Sequence, residues 1–484
     1  MTFRKPYRMI FAAAAVMLIC FSRLASAAEP PIAHEHRQVQ SNGATYTLDI
    51  IRVNLKDPTI QVKAVAANRE LGSVEKFSDM LADNDAAAGI NGTFFDAFTE
   101  DISYRTPYGL VMNNNDLLYS GDKETSITVS TDKEASVQRL QVNSTVRAGS
   151  WSSLLAGVDV YYGDVPHSAW LFTKDYGDDL SYPGVKIVVG PDGKVASVTA
   201  EGTAAIPAGG KVLLLSSDFT FDRTIKIVKA GDKFSVSQTV TNLDTKASVP
   251  IDQVRMAIGA GPKLVTEGRV DLDFERDRFN DPLVTERPNV RSFAGVDQEG
   301  KLVFGTVSYC TIEQMADVMV EIGMKDAINL DGGASSALYY KGRMLRAPGR
   351  LLSNALIVRQ TASPQVQLQV NGQSVGNYYG YVDQDVTMVP FRVLLNRLKE
   401  EYRWDGATSS LSITKDKAKL EVSLGSRSAS VNGRTVTMDA EPQIVDGHLY
   451  VPLRFVAEAL GAQVDWNGDL YRANVKPSES QDAK

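Results

Sequence analysis

Between His36 and Gln360 the apolar residues recur at every second position or in short unbroken runs, and only twice at the spacing of a helix. That pattern restricts the region to a strand-dominated fold. Tyr46–Ile51, Val185–Val189 and Lys211–Leu215 are the plainest strands, and Pro191-Asp192-Gly193 and Ala208-Gly209-Gly210 are turns between strands. One helix is expected after a cap near Ser73, with Val74, Phe77, Met80 and Leu81 on one face. The other follows Thr311, where Thr311 and Gln314 form a capping box and Ile312, Met315, Ala316, Met319 and Ile322 share a face until Gly323 ends it. The fold class is therefore α+β, a strand-rich mixed domain with few helices. The aromatics between about 150 and 250, among them Tyr161, Trp170, Tyr176 and Tyr182, read as the core of an inserted β subdomain in preference to a sugar subsite.

A repeat sets the next boundary. Val389-Pro390-Phe391-Arg392 returns as Val451-Pro452-Leu453-Arg454, and Trp404-Asp405 as Trp466-Asn467, both at an offset of 62 residues. Each copy reads as a strand, a V-P-x-R entry into an amphipathic helix, and a strand carrying an inward tryptophan. Two copies make one small α+β domain, 366–475, after a linker at 361–364.

The N-terminus reads as a secretory signal over residues 1–27. Arg4, Lys5 and Arg8 precede an apolar run from Met9 to Phe21, and Ala25-Ser26-Ala27 offers a cleavage site. Loss of that leader removes four basic and no acidic residues, moving the formal charge from −7 to −11. So acidic a chain is a poor match for nucleic acid. It would also keep Cys310 as its one cysteine, which rules out an internal disulfide. No later segment is apolar enough to span a membrane.

Two distant segments end alike. The first helix leads through Ala86–Ile90 into Asn91-Gly92-Thr93-Phe94-Phe95-Asp96, and the second through Ala327-Ile328 into Asn329-Leu330-Asp331-Gly332-Gly333-Ala334-Ser335-Ser336. Helix, buried strand, then an asparagine–glycine turn is a pattern that brings loops to a common cleft. A D-G-G sequence by itself is most often only a turn.

These segments, with Arg291-Ser292-Phe293-Ala294-Gly295 between them, resemble the phosphodiester glycosidase family, whose mammalian member uncovers mannose 6-phosphate by removing a phosphate-linked N-acetylglucosamine. Its N-G-x-F-F, R-[ST]-x-x-G and N-x-D-G-G-x-S-S motifs occur here in order, Ala257–Pro262 is a further similar piece, and the resemblance extends over 45–358. It implies a domain at 36–360 that hydrolyses a sugar 1-phosphodiester. Such a reaction needs a carboxylate beside the anomeric carbon and cations or donors on the phosphate. Asp331 and Asp96 are the candidate carboxylates, and Arg291 and Arg255 the candidate phosphate binders. Phosphate is a ready leaving group, so a strong general acid is not demanded. The amides of Gly332, Gly333 and Ala334 are expected to form an anion-binding nest. Ser335 and Ser336 are expected as donors to sugar or phosphate, Asn91 and Asn329 as orienters of substrate hydroxyls or of Asp331, and Gly92 and Ser292 as the remaining substrate-binding positions. Of Phe94 and Phe95, one is expected in the core and one beneath a sugar ring.

The repeat region resembles the stalk domains, or copper amine oxidase N-terminal-like domains, of exported proteins from Gram-positive bacteria. It implies a spacer or wall-attachment module at the cell surface. Copper is not implied, since His448 is the segment's one histidine. The four histidines, His34, His36, His167 and His448, lie outside every motif, which argues against a Ser-His-Asp triad and a zinc site. No cofactor is required; calcium or magnesium on oxygen ligands stays compatible. Three functions fit: an exported glycosidase acting on cell-wall polymer or exopolysaccharide, a non-catalytic wall-polysaccharide binder, or an exopolysaccharide assembly or transfer factor.

Overall fold

Phe293 and Ala294 are neighbours in the chain, yet they belong to different cores, and that division describes the architecture. The structure, a computed structural model, describes residues 29–69, 72–98, 105–159, 161, 163, 166–174, 176–200, 202–219, 221–415, 418–445 and 447–478. The leader read at 1–27 lies outside them.

A seven-stranded antiparallel sheet runs Ile32–Ser41, Ala44–Val53, Leu302–Cys310, Asn289–Asp297, Met324–Asn329, Lys263–Thr266 and Arg269–Val270 in spatial order. Ile51, Ala294, Phe304 and Ile328 point to its inner face, and Ile50, Phe293, Val303 and Ala327 to its outer face. Alternate side chains of a strand point to opposite faces, so a strand buried on both sides reads as an unbroken apolar run. The outer face is covered by the helix Ile312–Glu321, whose Ile312, Met315, Ala316, Val318 and Met319 are fully buried. At about 1.5–3 kcal/mol for each large apolar side chain, that face anchors the helix.

A five-stranded sheet, Arg343–Arg346, Leu338–Tyr340, Ala86–Asn91, Asn354–Gln360 and Ile60–Ala66, repeats the arrangement. Ala88, Ile90 and Leu356 face the shared core, while Ala355 and Ile357 face the helix Phe77–Asp83 with its buried Phe77, Met80 and Leu81. The order is thus helix, sheet, sheet, helix. The strand Val254–Gly259, from a third sheet, closes one side of the shared core with Met256 and Ile258. The first helix begins at Phe77 with no side-chain cap, because Ser73 Oγ is occupied by Asn68 Nδ2 at 2.6 Å. The strands read at Val185–Val189 and Lys211–Leu215 occur with those bounds, and Tyr161, Trp170, Tyr176 and Tyr182 pack together beneath their sheet.

Residues from Gln365 to Lys476 form a seven-stranded and a five-stranded sheet over one core. The two V-P copies lie side by side, Val389 opposite Val451, so each repeat pairs with its own equivalent. Pro390 and Pro452 precede the helices Phe391–Leu398 and Leu453–Ala459. Trp404 is half-buried, packed against that core and also bordering a groove, whereas Trp466 departs from expectation at 42% exposed on a groove wall.

Candidate active site

Both asparagine–glycine turns leave the ends of strands facing the shared core, and one side chain ties them together. Asn91 Nδ2 donates to the Asp331 carbonyl at 2.7 Å, while its Oδ1 accepts from Ser292 Oγ at 2.8 Å and from the Ala337 amide at 3.0 Å. The three motifs therefore meet at Asn91. The Asp331 amide in turn donates to the Gly92 carbonyl, and Leu330 to that of Ser292. Gly92 has no room for a side chain, since a Cβ there would stand 1.9 Å from Asn354 Oδ1.

In front of this junction lies a cleft of about 380 Å³, bordered by Asp331, Gly332, Gly333, Ser335, Asp96 and Arg291 from the motifs. Arg350, Lys123, Arg278, Tyr108, Phe279 and Asn289 complete its polar and aromatic wall. The larger groove of about 640 Å³ on the repeat region, bounded by Phe391, Arg392 and Trp404, has no acidic residue among those described and lies apart from the motifs.

Asp331 is partly exposed at the cleft surface, but the protein packed around it pushes its carboxyl up to about 6. Hydrogen bonds from Ser335 and from the Gly332 amide at 2.8 Å, with the charges of Arg350 and Arg291, oppose that rise without cancelling it. Asp96 borders the cleft and also accepts from the Phe98 amide at 3.1 Å, the turn-capping role open to an aspartate at such a position. Tyr108 lies within reach of both carboxylates: burial first, then Asp96, Asp122 and Asp331, raise its phenol above the ordinary value.

Arg291 is held by carbonyls. Its Nε donates to Cys310 at 3.3 Å and its Nη2 to Val284 at 3.2 Å and Arg287 at 2.5 Å. Nη1 makes no hydrogen bond among the described residues and lies beside Gly332. Burial lowers the guanidinium's pKa, and the Asp331 charge is among those opposing the drop. Arg350 stacks 5.0 Å over Phe98, and Lys123 lies 4.6 Å over Phe279 while donating to the Arg278 carbonyl at 2.9 Å. Of the four cations at the cleft, Arg278 pairs with Glu124 at 3.3 Å and Lys123 lies 4.0 Å from Asp122, so Arg291 and Arg350 are the ones best placed for an anionic ligand.

Several expected contacts are placed elsewhere. Asn91, Ser292, Asn329 and Ser336 are buried behind the cleft and do not border it, nor does Gly92. Asn329 Nδ2 holds the Gly261 carbonyl at 2.8 Å, and Ser336 Oγ reaches that of Val290 at 3.4 Å. They brace the backbone that carries Asp331. The nest is smaller than expected, because the Gly332 amide is taken up by Asp331 itself; Gly333, at φ +60°, opens the short turn Gly333–Ser335. Phe95 enters the core behind the first helix, and Phe94 packs 5.6 Å from Phe279 on the cleft wall. Arg255 is not at the cleft. It opens the strand Val254–Gly259, whose far end approaches Lys123, and four residues of strand put it roughly 13 Å away. Among the described residues no group of three or more His, Cys, Asp or Glu side chains forms that could hold a metal, so the calcium or magnesium expectation finds no such cluster.

Tyr108, Lys123, Arg278 and Arg350 were not legible in the sequence. Each stands in a loop where a charged or phenolic residue looks the same as a solvated one.

Residues 183–359 match the phosphodiester glycosidase family model, and residues 369–474 match the copper amine oxidase N-terminal domain model. The resemblances carried by the motifs are shown for those segments; the Asn91–Asp96 turn precedes the first of them and is joined to it by the fold. A hypothetical protein from Synechocystis has a similar structure, with 19% identity and a TM-score of 0.59 over 68% of this chain and 62% of that one. A Burkholderia pseudomallei protein described as exported aligns with 18% identity and a TM-score of 0.54 over 65% of this chain and 74% of that one. At these identities the likeness concerns the fold alone. A protease inhibitor from Brevibacillus choshinensis is 27% identical over 116 residues, 23% of this chain and 36% of that protein's length. No helix among the described residues is long and apolar enough to cross a membrane.

Proposed function

We propose that the cleft hydrolyses a sugar 1-phosphodiester, with Asp331 as the carboxylate at the anomeric carbon. The observation that carries this reading is that the half-buried Asp331, its carboxyl pushed up to about 6, shares one cleft with Arg291, Arg350, Lys123 and Arg278. The match of residues 183–359 to the phosphodiester glycosidase family supports the same chemistry. Nη1 of Arg291 and the guanidinium of Arg350 hold the phosphate, and the fork geometry suits its paired oxygens. The leaving phosphate departs as an anion already neutralised by these groups, so the ionised Asp331 is free to support the oxocarbenium-like centre or to activate water. Asp96 and Tyr108 border the same cleft, Asp96 as the second carboxylate.

The protein is exported, the source of its substrate is wall polymer or exopolysaccharide of a Gram-positive cell, and the repeat region attaches it to that surface. Incubation of the purified chain with a glycosyl phosphodiester tests the chemistry. Free sugar and a phosphomonoester are expected, and Asp331→Asn should lower kcat at least 100-fold while leaving the fold intact. An unchanged rate in that variant removes Asp331 from the mechanism; retention of polymer without product in the unmodified protein would indicate a binding module. Because the ionised form is required, kcat/KM should fall as pH drops through about 6.

A further inference from the structure

Arg255, which the cleft does not use, is 7% exposed, and so is Lys133 beside it. Both border a small space of about 20 Å³ whose other walls include Gln61, Gln365, Gln367 and Tyr379. Three of those side chains come from the repeat region and the rest from the region that carries the cleft, so the space lies on the seam between them.

The charges there are poorly matched. Arg255 sits 5.0 Å over the Tyr379 ring, and its side chain makes one hydrogen bond, at 3.5 Å, to Asn114 Oδ1. Lys133 Nζ reaches the Asp57 backbone carbonyl at 3.4 Å. Neither forms an ion pair with a described residue. The Asp57 carboxylate is turned to Thr59, accepting from its amide at 2.8 Å and its hydroxyl at 2.5 Å. Arg472, the third cation nearby, is engaged by Asp132 at 2.8 Å and by Gln367 Oε1 at 3.1 Å. The Asp57 charge acts on Lys133 but pairs with neither cation, and two buried cations without an ion pair are strongly unfavourable; a water molecule does not neutralise them.

We propose that this space is a halide site, in which one chloride-sized anion lies between Arg255 and Lys133 and fastens the repeat region to the cleft-bearing region. About 20 Å³ is room for a water-sized particle and suits a monatomic anion better than phosphate, sulfate or a carboxylate. Burial, and next the Arg255 charge, push the Lys133 ammonium down to about 8 against the pull of the Asp57 charge, and an anion in the space opposes that shift further.

The test is thermal melting of the full chain at pH 7 as sodium gluconate is exchanged for sodium chloride at constant ionic strength. The melting temperature should rise with chloride and do the same with bromide. Well above half-saturation, each tenfold increase in halide should raise the folded-to-unfolded ratio about tenfold. Lys133→Met, which keeps the stem and removes the charge, should flatten the response. Equal melting in both salts, or an undiminished rise in Lys133→Met, overturns the proposal. Should that variant fail to fold, bromide-soaked crystals of the unmodified chain decide: an anomalous peak between Arg255 and Lys133 supports the site, and its absence overturns it.

Discussion

Asp331 answers two opposed demands, since the packing that makes its carboxyl reactive also disfavours its charge. Its folded-state pKa of about 6 lies above the ordinary value, so the folded chain binds a proton more tightly than the unfolded one. Its contribution to stability is therefore greatest below pH 4 and is lost as pH rises through 6. Asp331→Asn should accordingly be more stable than the parent at pH 7.5, by about 1 kcal/mol after allowing for solvent contact, with the difference vanishing near pH 4. Urea titrations at the two pH values check this. Arg350 makes its contacts from a partly exposed loop, with no ion pair to lose among the described residues. Arg350→Gln should raise KM for a phosphodiester roughly tenfold, about 1.4 kcal/mol, with little change in melting temperature. Asp331 and Arg291 were legible because each stands in a motif. Asn91 and Asn329 were legible as important, with two roles open: a polar side chain in a turn reads equally as a substrate contact or as a brace for Asp331, and here the amides satisfy backbone groups that leave the sheet ladders.

At the scale of elements, the helix Ile312–Glu321 was the most readable. Its capping box is present, with Gln314 N donating to Thr311 Oγ1 at 3.3 Å and Thr311 N to Gln314 Oε1 at 3.0 Å, and Gly323 follows it at φ +80°. A local signal and a local structure coincide because capping needs only four consecutive residues. Thr311→Ala should cost about 1 kcal/mol in chemical denaturation and leave kcat unchanged, since the cap lies at the start of the helix and borders no part of the cleft. The first helix was placed too early for the same reason in reverse. Ser73 has the chemistry of a cap, but Asn68, held at φ +50°, takes its hydroxyl. Nor did the tryptophan strands announce that their rings would line grooves, because a half-buried surface strand and a core strand carry the same alternation.

For the whole molecule, every residue bordering the cleft lies between Phe94 and Arg350, so the repeat region contributes nothing to the reacting groups. A chain ending at Gln360 should keep kcat/KM within about threefold on a small phosphodiester. It should melt well below the full chain, because Arg255 then loses Tyr379 and the Gln365 strand leaves the Pro58 carbonyl. Assays on a soluble substrate and melting curves of the two chains separate these effects. The sequence by itself determined the strand-rich α+β class, the duplicated C-terminal unit, and the motifs bearing Asp331, Asp96 and Arg291, because periodicity, repetition and motif spacing are written along the chain. Only the tertiary structure decided which arginine reaches the cleft, which asparagines brace it, and that Tyr108, Lys123 and Arg350 join it. Those outcomes depend on which strand end meets which loop, and on burial that brings Arg255 and Lys133 together with no ion pair among the described residues; no local stretch of sequence encodes either.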